Sequence, residues 1–327
     1  GIDASGTVTV LDGSFGIIAG GGSANAAAHT SDNFGGRPDQ TSGATAKTSS
    51  ATAASATTAS ATDESDSTKG IKADSDIVIS GGSFTIDSAD DAVHSNANVT
   101  VSGGSFNIST GDDGIHADAA LTVSDGTIEI AESYEGLEGQ VISVSGGAIS
   151  VVSSDDGFNA AGGSDSSGSF GGDSFASDSD ASLTISGGTV TVDADGDGLD
   201  SNGALTVSGG TTYVSGPTNS GNGALDYGSD GVISGGTIIA VGASGMDVNF
   251  GSSSTQGSIL VDLSSVQAAG TTVTLKDSSG NVLASYTPDK EFQSVVVSAA
   301  GVESGKTYTL TVGSSTQTIE MTSVIYG

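Results

Sequence analysis

Cysteine and tryptophan are absent from this chain of 327 residues, and proline occurs three times. Without cysteine there is no disulfide framework, an absence that fits either redox compartment when many repeats share one core. Cations are almost as scarce. Seven Lys and Arg face 39 Asp and Glu, for a formal net charge of -32. So acidic a chain excludes nucleic acid and anionic membrane surfaces as partners. There is also no apolar run long enough to span a bilayer and no recognisable signal peptide. The Ser/Thr/Asn/Asp-rich, Lys-poor composition points to a secreted or cell-surface protein.

What the chain has in quantity is glycine, 52 residues of it, set in a regular beat. Gly-Gly or Asp-Gly doublets begin at Asp12, Gly81, Gly103, Asp125, Gly146, Gly187, Gly209 and Gly235, with steps of 22 residues from Gly81 to Gly103, Gly103 to Asp125 and Gly187 to Gly209. Before each doublet apolar and small polar residues alternate, as in Ile77-Val78-Ile79, Val99-Thr100-Val101 and Leu205-Thr206-Val207. After it comes a second short alternation, such as Phe84/Ile86 and Phe106/Ile108. A third inward position follows an acidic residue: Ile71, Val93, Ile115, Leu137, Phe158, Leu199, Leu225 and Met246. This period and alternation predict an all-β fold, a right-handed parallel β-helix with about 22 residues per coil and like residues stacked about 4.8 Å apart.

The repeat is expected over residues 1–257, with insertions at about 20–67 and 162–182, where Ala/Ser/Thr/Gly-rich segments lose the apolar period. Residues 258–327 change to longer strands with a hairpin turn at Asp277–Asn281, and are expected to cap the apolar end. The first residues match the middle of a coil. That start predicts either a longer solenoid or a first coil that docks against something else, including another copy stacked end to end.

Aligning the repeats places Asp91, Asp113, Glu135, Asp156 and Asp197 in one column, with Asp90, Asp112 and Asp155 beside it. Like charges near 5 Å repel by about 0.8 kcal/mol per pair even in bulk water. Only Lys69 and Lys72 stand near enough to offset them. Protonation or a solvated acidic face would answer the repulsion, but a hard divalent cation explains why acids recur at one bend, and Ca2+ takes such oxygens. A third column, Lys72, His94, His116, Glu138, Asn159, Asp200, Asp226 and Asp247, lies three residues further on, so Glu135 with Glu138 and Asp197 with Asp200 flank one bend. The two histidines read as a stacked polar ladder in preference to a transition-metal site, since no third nitrogen ligand is evident. Neither the nine-residue calcium repeat nor an EF-hand loop is present; Asp193–Asp200 lacks the Glu at the twelfth position.

The segments KGIKADSDIVISGGSF, DDAVHSNANVTVSGG, GDDGIHADAALTVSDGTIEIAESYEGLEG and DGDGLDSNGALTVSGGTTYVSGPTNSGNGALDYG closely resemble a clostridial family of carbohydrate-binding β-helix proteins, secreted and calcium-binding, with a fold similar to family-nine polysaccharide lyases. The resemblance runs from Gly1 to about Gly313. It implies calcium at Asp90, Asp91, Asp112, Asp113, Glu135, Glu138, Asp155, Asp156, Asp197 and Asp200, and binding of cellulose or uronate-containing plant polysaccharide without catalysis. The absence of tryptophan removes the usual flat platform for crystalline cellulose, leaving Tyr134, Tyr213 and Tyr227 as candidate sugar contacts. Calcium-bridged contact with uronate carboxylates is the more economical route.

Three function classes follow: a non-catalytic polysaccharide binder, a pectate-lyase-like enzyme, and a filament subunit. The lyase needs a Lys or Arg base near the calcium. Lys69 and Lys72 are more simply counter-charges.

Overall fold

The computed structural model describes residues 1–29, 67–161 and 180–327. Most of the two expected insertions therefore lies outside the described residues. The chain divides into two units, Gly1–Ala27 with Ser67–Gly327, and Ala28–Asp66. The account below concerns the first.

The repeats stack in parallel and in register. One ladder runs Ile2, Ile71, Val93, Ile115, Leu137, Phe158, Leu199. A second runs Val8, Ile77, Val99, Leu121, Ile142, Leu183, Leu205. The third aligns Phe15, Phe84, Phe106, Ile128, Ile149 and Val190. Alternation makes the result cooperative: every second side chain points inward, and these residues form one continuous buried cluster. Phe15, packed against this cluster, stacks on Phe84 and Phe84 on Phe106, with ring centroids 4.9 and 4.6 Å apart and interplanar angles of 9° and 7°.

The expected right-handed β-helix with three short strands per coil is corrected. The strand Ile115–Glu132 runs without interruption through Asp125-Gly126, and Ala204–Ser215 runs through Gly209-Gly210. Each thereby pairs with two rows at once. A circuit of parallel pairings then closes through Ile115–Glu132, Leu137–Val144, Ser182–Ile185, Ala204–Ser215, Thr189–Ala194 and Ala148–Ser153. The architecture is a closed six-strand parallel barrel with further strands outside it and a separate antiparallel sheet, not a β-helix solenoid. The alternation that predicted strands says nothing about whether a glycine doublet ends a strand or lets it continue. Here the glycines turn the chain tightly within the strand. Gly210 has φ 76°, and a Cβ added there would lie 2.8 Å from the carbonyl oxygens of Gly187 and Gly188 in the neighbouring repeat.

At the C-terminal side the pairing changes direction. Phe292–Ser298 lies antiparallel to both Gly231–Gly242 and Ser258–Gln267. Four strands, Val282–Tyr286, Val273–Asp277, Thr307–Val312 and Ser315–Glu320, form the antiparallel sheet. A second apolar cluster includes Val273, Leu275, Tyr308, Leu310, Ile239 and Val297. Lys290 ties this region to the barrel through Asp193 at 2.9 Å and Asp195 at 2.7 Å.

Candidate metal-binding site

Each acidic residue of the main column sits just before the strand that carries the first ladder, and the parallel register therefore stacks the acids as it stacks the apolar residues. Asp91, Asp113, Glu135 and Asp156 are buried, and Asp197 is half-buried. The carboxylates hold the backbone of the next repeat. Asp91 Oδ1 accepts the Asp113 N–H at 3.1 Å, Asp113 Oδ1 accepts the Glu135 N–H at 3.3 Å, and Asp156 Oδ1 accepts the Asp197 N–H at 2.6 Å. The Gly223 N–H donates to Asp197 Oδ1 in the same way. An acid at this bend thus satisfies a buried donor. The second oxygens, Oδ2 of Asp91 and of Asp113, face other groups, and those groups differ along the column.

At the first end the counter-charge is a lysine. Lys69 Nζ lies 2.7 Å from Asp90 Oδ1 and 2.6 Å from Asp91 Oδ2, with its side chain 11% exposed. Asp112 comes within 4.8 Å of the same Asp90 and Asp91 carboxylates. Lys72 pairs with Asp74 at 4.0 Å.

Next come the histidines, brought together by the register Lys72, His94, His116, Glu138, Asn159, Asp200. His94 Nδ1 lies 2.7 Å from Asp91 Oδ2, and its Nε2 lies 2.9 Å from Asn96 Oδ1. His116 Nδ1 is 2.8 Å from Glu138 Oε2, 3.3 Å from Asp113 Oδ2 and 3.8 Å from Asp91 Oδ2. Despite these short separations neither ring nitrogen of His116 has a hydrogen bond of acceptable direction, and both are buried. The carboxylates approach the ring off the line of its N–H bonds. The two rings meet edge to face, 4.7 Å between centroids.

The electrostatics follow from this crowding. Burial alone would lower the His116 pKa, but Asp113 and Glu138 outweigh it and push the value up to about 12. Burial would raise the Asp91 carboxyl; the His94 contact and the Lys69 ammonium overcome it and hold Asp91 well below the carboxylate range. Glu138 is likewise lowered, since contact with His116 outweighs burial. Asp113 and Glu135 go the other way, raised by burial and then by the Glu138 charge.

Beyond the histidines the donors are all oxygen. Glu135 Oε1 accepts Asn159 Nδ2–H at 3.0 Å, while Glu135 Oε2 and Asn159 Oδ1 are buried without a hydrogen-bond partner. Asp155 and Asp156 press against the chain at Gly196, where a Cβ would meet Asp156 Oδ1 at 2.4 Å and Asp155 Oδ1 at 2.5 Å. At the far end Asp197, Asp200 and Asp226, all half-buried, bring carboxylate oxygens within 4.8 Å of one another. Asp226 belongs to the third column and is not among the ten expected calcium ligands. Its place in that column was the signal. This oxygen set fits Ca2+, which takes six to eight oxygens from carboxylates, amides, carbonyls and water; the two orphaned oxygens of Glu135 and Asn159 are of that kind.

Two of the three tyrosines are committed to packing. Tyr213 stacks on Tyr286 of the antiparallel sheet, centroids 4.7 Å apart and planes at 11°. Tyr227 donates its hydroxyl to the Asn249 carbonyl at 2.5 Å, and its ring lies where a Cβ on Gly231 would stand. Tyr134 is half-buried, with its N–H bonded to the Asp112 carbonyl at 2.8 Å.

A protein-family model described as carbohydrate-binding domain-containing protein matches residues 1–114. The match supports the carbohydrate-binding part of the resemblance drawn from sequence. No curated protein and no solved structure matches the chain, so the expected likeness in fold to polysaccharide lyases has no support.

Proposed function

We propose that this protein is a secreted or cell-surface, non-catalytic polysaccharide-binding protein that holds Ca2+ along the all-oxygen part of its acidic column and meets uronate-containing glycan through that calcium. The observation that carries the reading is the convergence of Asp197, Asp200 and Asp226, half-exposed and without a nitrogen donor among them. A cation held there by carboxylates on the protein side keeps coordination positions open for a sugar carboxylate on the other. The buried pair Glu135 and Asn159 supports a second, structural ion. The family match over residues 1–114 supports the sugar partner. A lyase would need a cationic base poised at the calcium. Lys69 is instead held between Asp90 and Asp91, and Lys290 between Asp193 and Asp195.

Retention on insoluble polygalacturonate and on cellulose, each with Ca2+ and with chelator, tests the proposal. Calcium-dependent retention on polygalacturonate, lost in Asp197→Asn/Asp200→Asn, is the expected result. Retention indifferent to chelation removes the calcium bridge, and unsaturated product absorbing at 235 nm would make the protein a lyase.

A further inference from the structure

The histidine segment of the column has a chemistry that calcium does not explain. An amide oxygen only accepts hydrogen bonds, so the Nε2 of His94, 2.9 Å from Asn96 Oδ1, carries a ring hydrogen. Its Nδ1 lies 2.7 Å from Asp91 Oδ2, where either a second ring proton or a metal ion can stand. His116 stands among the same carboxylates: its buried Nδ1 has Glu138 Oε2, Asp113 Oδ2 and Asp91 Oδ2 around it at 2.8, 3.3 and 3.8 Å and a hydrogen bond to none. Imidazole nitrogens and carboxylate oxygens converge here, and a metal ion would take the place of the ring protons that now face the carboxylates.

We propose that Asp91, His94, His116 and Glu138 form a nitrogen-containing site for one divalent transition metal of the Zn2+ class, separate from the calcium positions. Zn2+ binds imidazole nitrogen and carboxylate oxygen at about 2.0–2.2 Å, so neighbouring ligands of a tetrahedral ion stand roughly 3.3 Å apart. The observed separations of 2.7 Å between His94 and Asp91, 2.8 Å between His116 and Glu138, and 3.8 Å between His116 and Asp91 bracket that edge. Asp91, His94 and His116 each offer one ligand atom mutually within 4.8 Å, and Glu138 joins His116 in a second such group. Supporting contacts are in place. Asn96 accepts from His94 Nε2 and so turns Nδ1 toward Asp91, and the backbone N–H of Asp113 holds the other Asp91 oxygen. His94 and His116 are 4% and 1% exposed, so water competes little for the ion. Two imidazoles also select against calcium, which prefers oxygen.

The test titrates chelator-stripped full-length protein with ZnCl2 in saturating Ca2+, so that it stands or falls apart from the calcium reading. One equivalent of Zn2+ per chain, retained through gel filtration, is expected. His94→Gln and His116→Gln should each weaken it by more than the roughly 10- to 100-fold that loss of a supporting contact costs, and His29→Gln should leave it unchanged. If the two variants fail to fold, X-ray absorption of the zinc-loaded native protein decides: imidazole scattering supports the site. Zinc displaced by calcium, or bound with oxygen scattering alone, overturns it.

Discussion

Glu135 and Asn159 share one hydrogen bond of 3.0 Å and turn their other two oxygens, both buried and both without a donor, into the same acidic column. Two unsatisfied acceptors in a buried place cost stability unless a cation or proton joins them.

Glu135→Gln removes a charge that the cation-free protein holds at a cost and supplies an N–H where a cation would sit. In chelator its melting temperature is expected to rise by about 2 °C, while the further rise on adding Ca2+ shrinks. Scanning calorimetry in both buffers checks this. Equal destabilisation with and without Ca2+ would mean that Glu135 serves packing alone.

Lys69→Met should be among the most damaging single changes. It leaves Asp91, fully buried, without the ammonium 2.6 Å away. Removing one partner of a buried pair costs about 3 kcal/mol or more. Adding Asp91→Asn should recover part of that loss, a coupling that urea unfolding of the two single variants and the double variant would measure. Additive effects would show that the pair is not coupled.

Gly196→Ala places a methyl 2.4 Å from Asp156 Oδ1 and 2.5 Å from Asp155 Oδ1. Overpacking of this kind costs about 1–3 kcal/mol. Both carboxylates must move, so calcium affinity is expected to fall together with stability. Calcium titration by calorimetry would show it; unchanged affinity would place the ions away from Asp155 and Asp156.

Tyr286 gives the pH dependence. Burial raises its phenol above the usual tyrosine value of about 10, although the Ser215 hydrogen bond opposes the shift. The folded state therefore keeps this proton to higher pH than the unfolded state does. Stability contributed by the neutral phenol is complete below about pH 10 and declines as pH rises toward the higher folded value. Tyr286→Phe should lose about 1 kcal/mol at neutral pH with the Ser215 bond, and show a shallower decline in melting temperature between pH 10 and 11. An unchanged slope would assign the alkaline loss to other groups.

The sequence carried the strand positions and their register well, because inward residues such as Ile71, Val93 and Ile115 stack one on another and any slip would turn them to solvent. It did not carry the closure of the barrel. That depends on strands continuing through Asp125-Gly126 and Gly209-Gly210, and a glycine doublet is compatible with a bend or with continuation. The acids were legible as columns for the same reason as the apolar residues. Their partners were less so: Lys69 bridges to Asp90 and Asp91 by side-chain reach, and Tyr213 finds Tyr286 only through the antiparallel sheet. Composition marked Tyr213 as a sugar platform, and tertiary packing uses it as an internal contact.

The acid that receives the backbone N–H of the following repeat makes each unit answerable for its neighbour. Asp91 receives Asp113, and Asp113 receives Glu135, each at the same point in its own unit. A neutral change at one of these acids strands an amide in another repeat. The damage therefore falls at a distance in sequence, on a residue 22 positions further along the chain from the one exchanged.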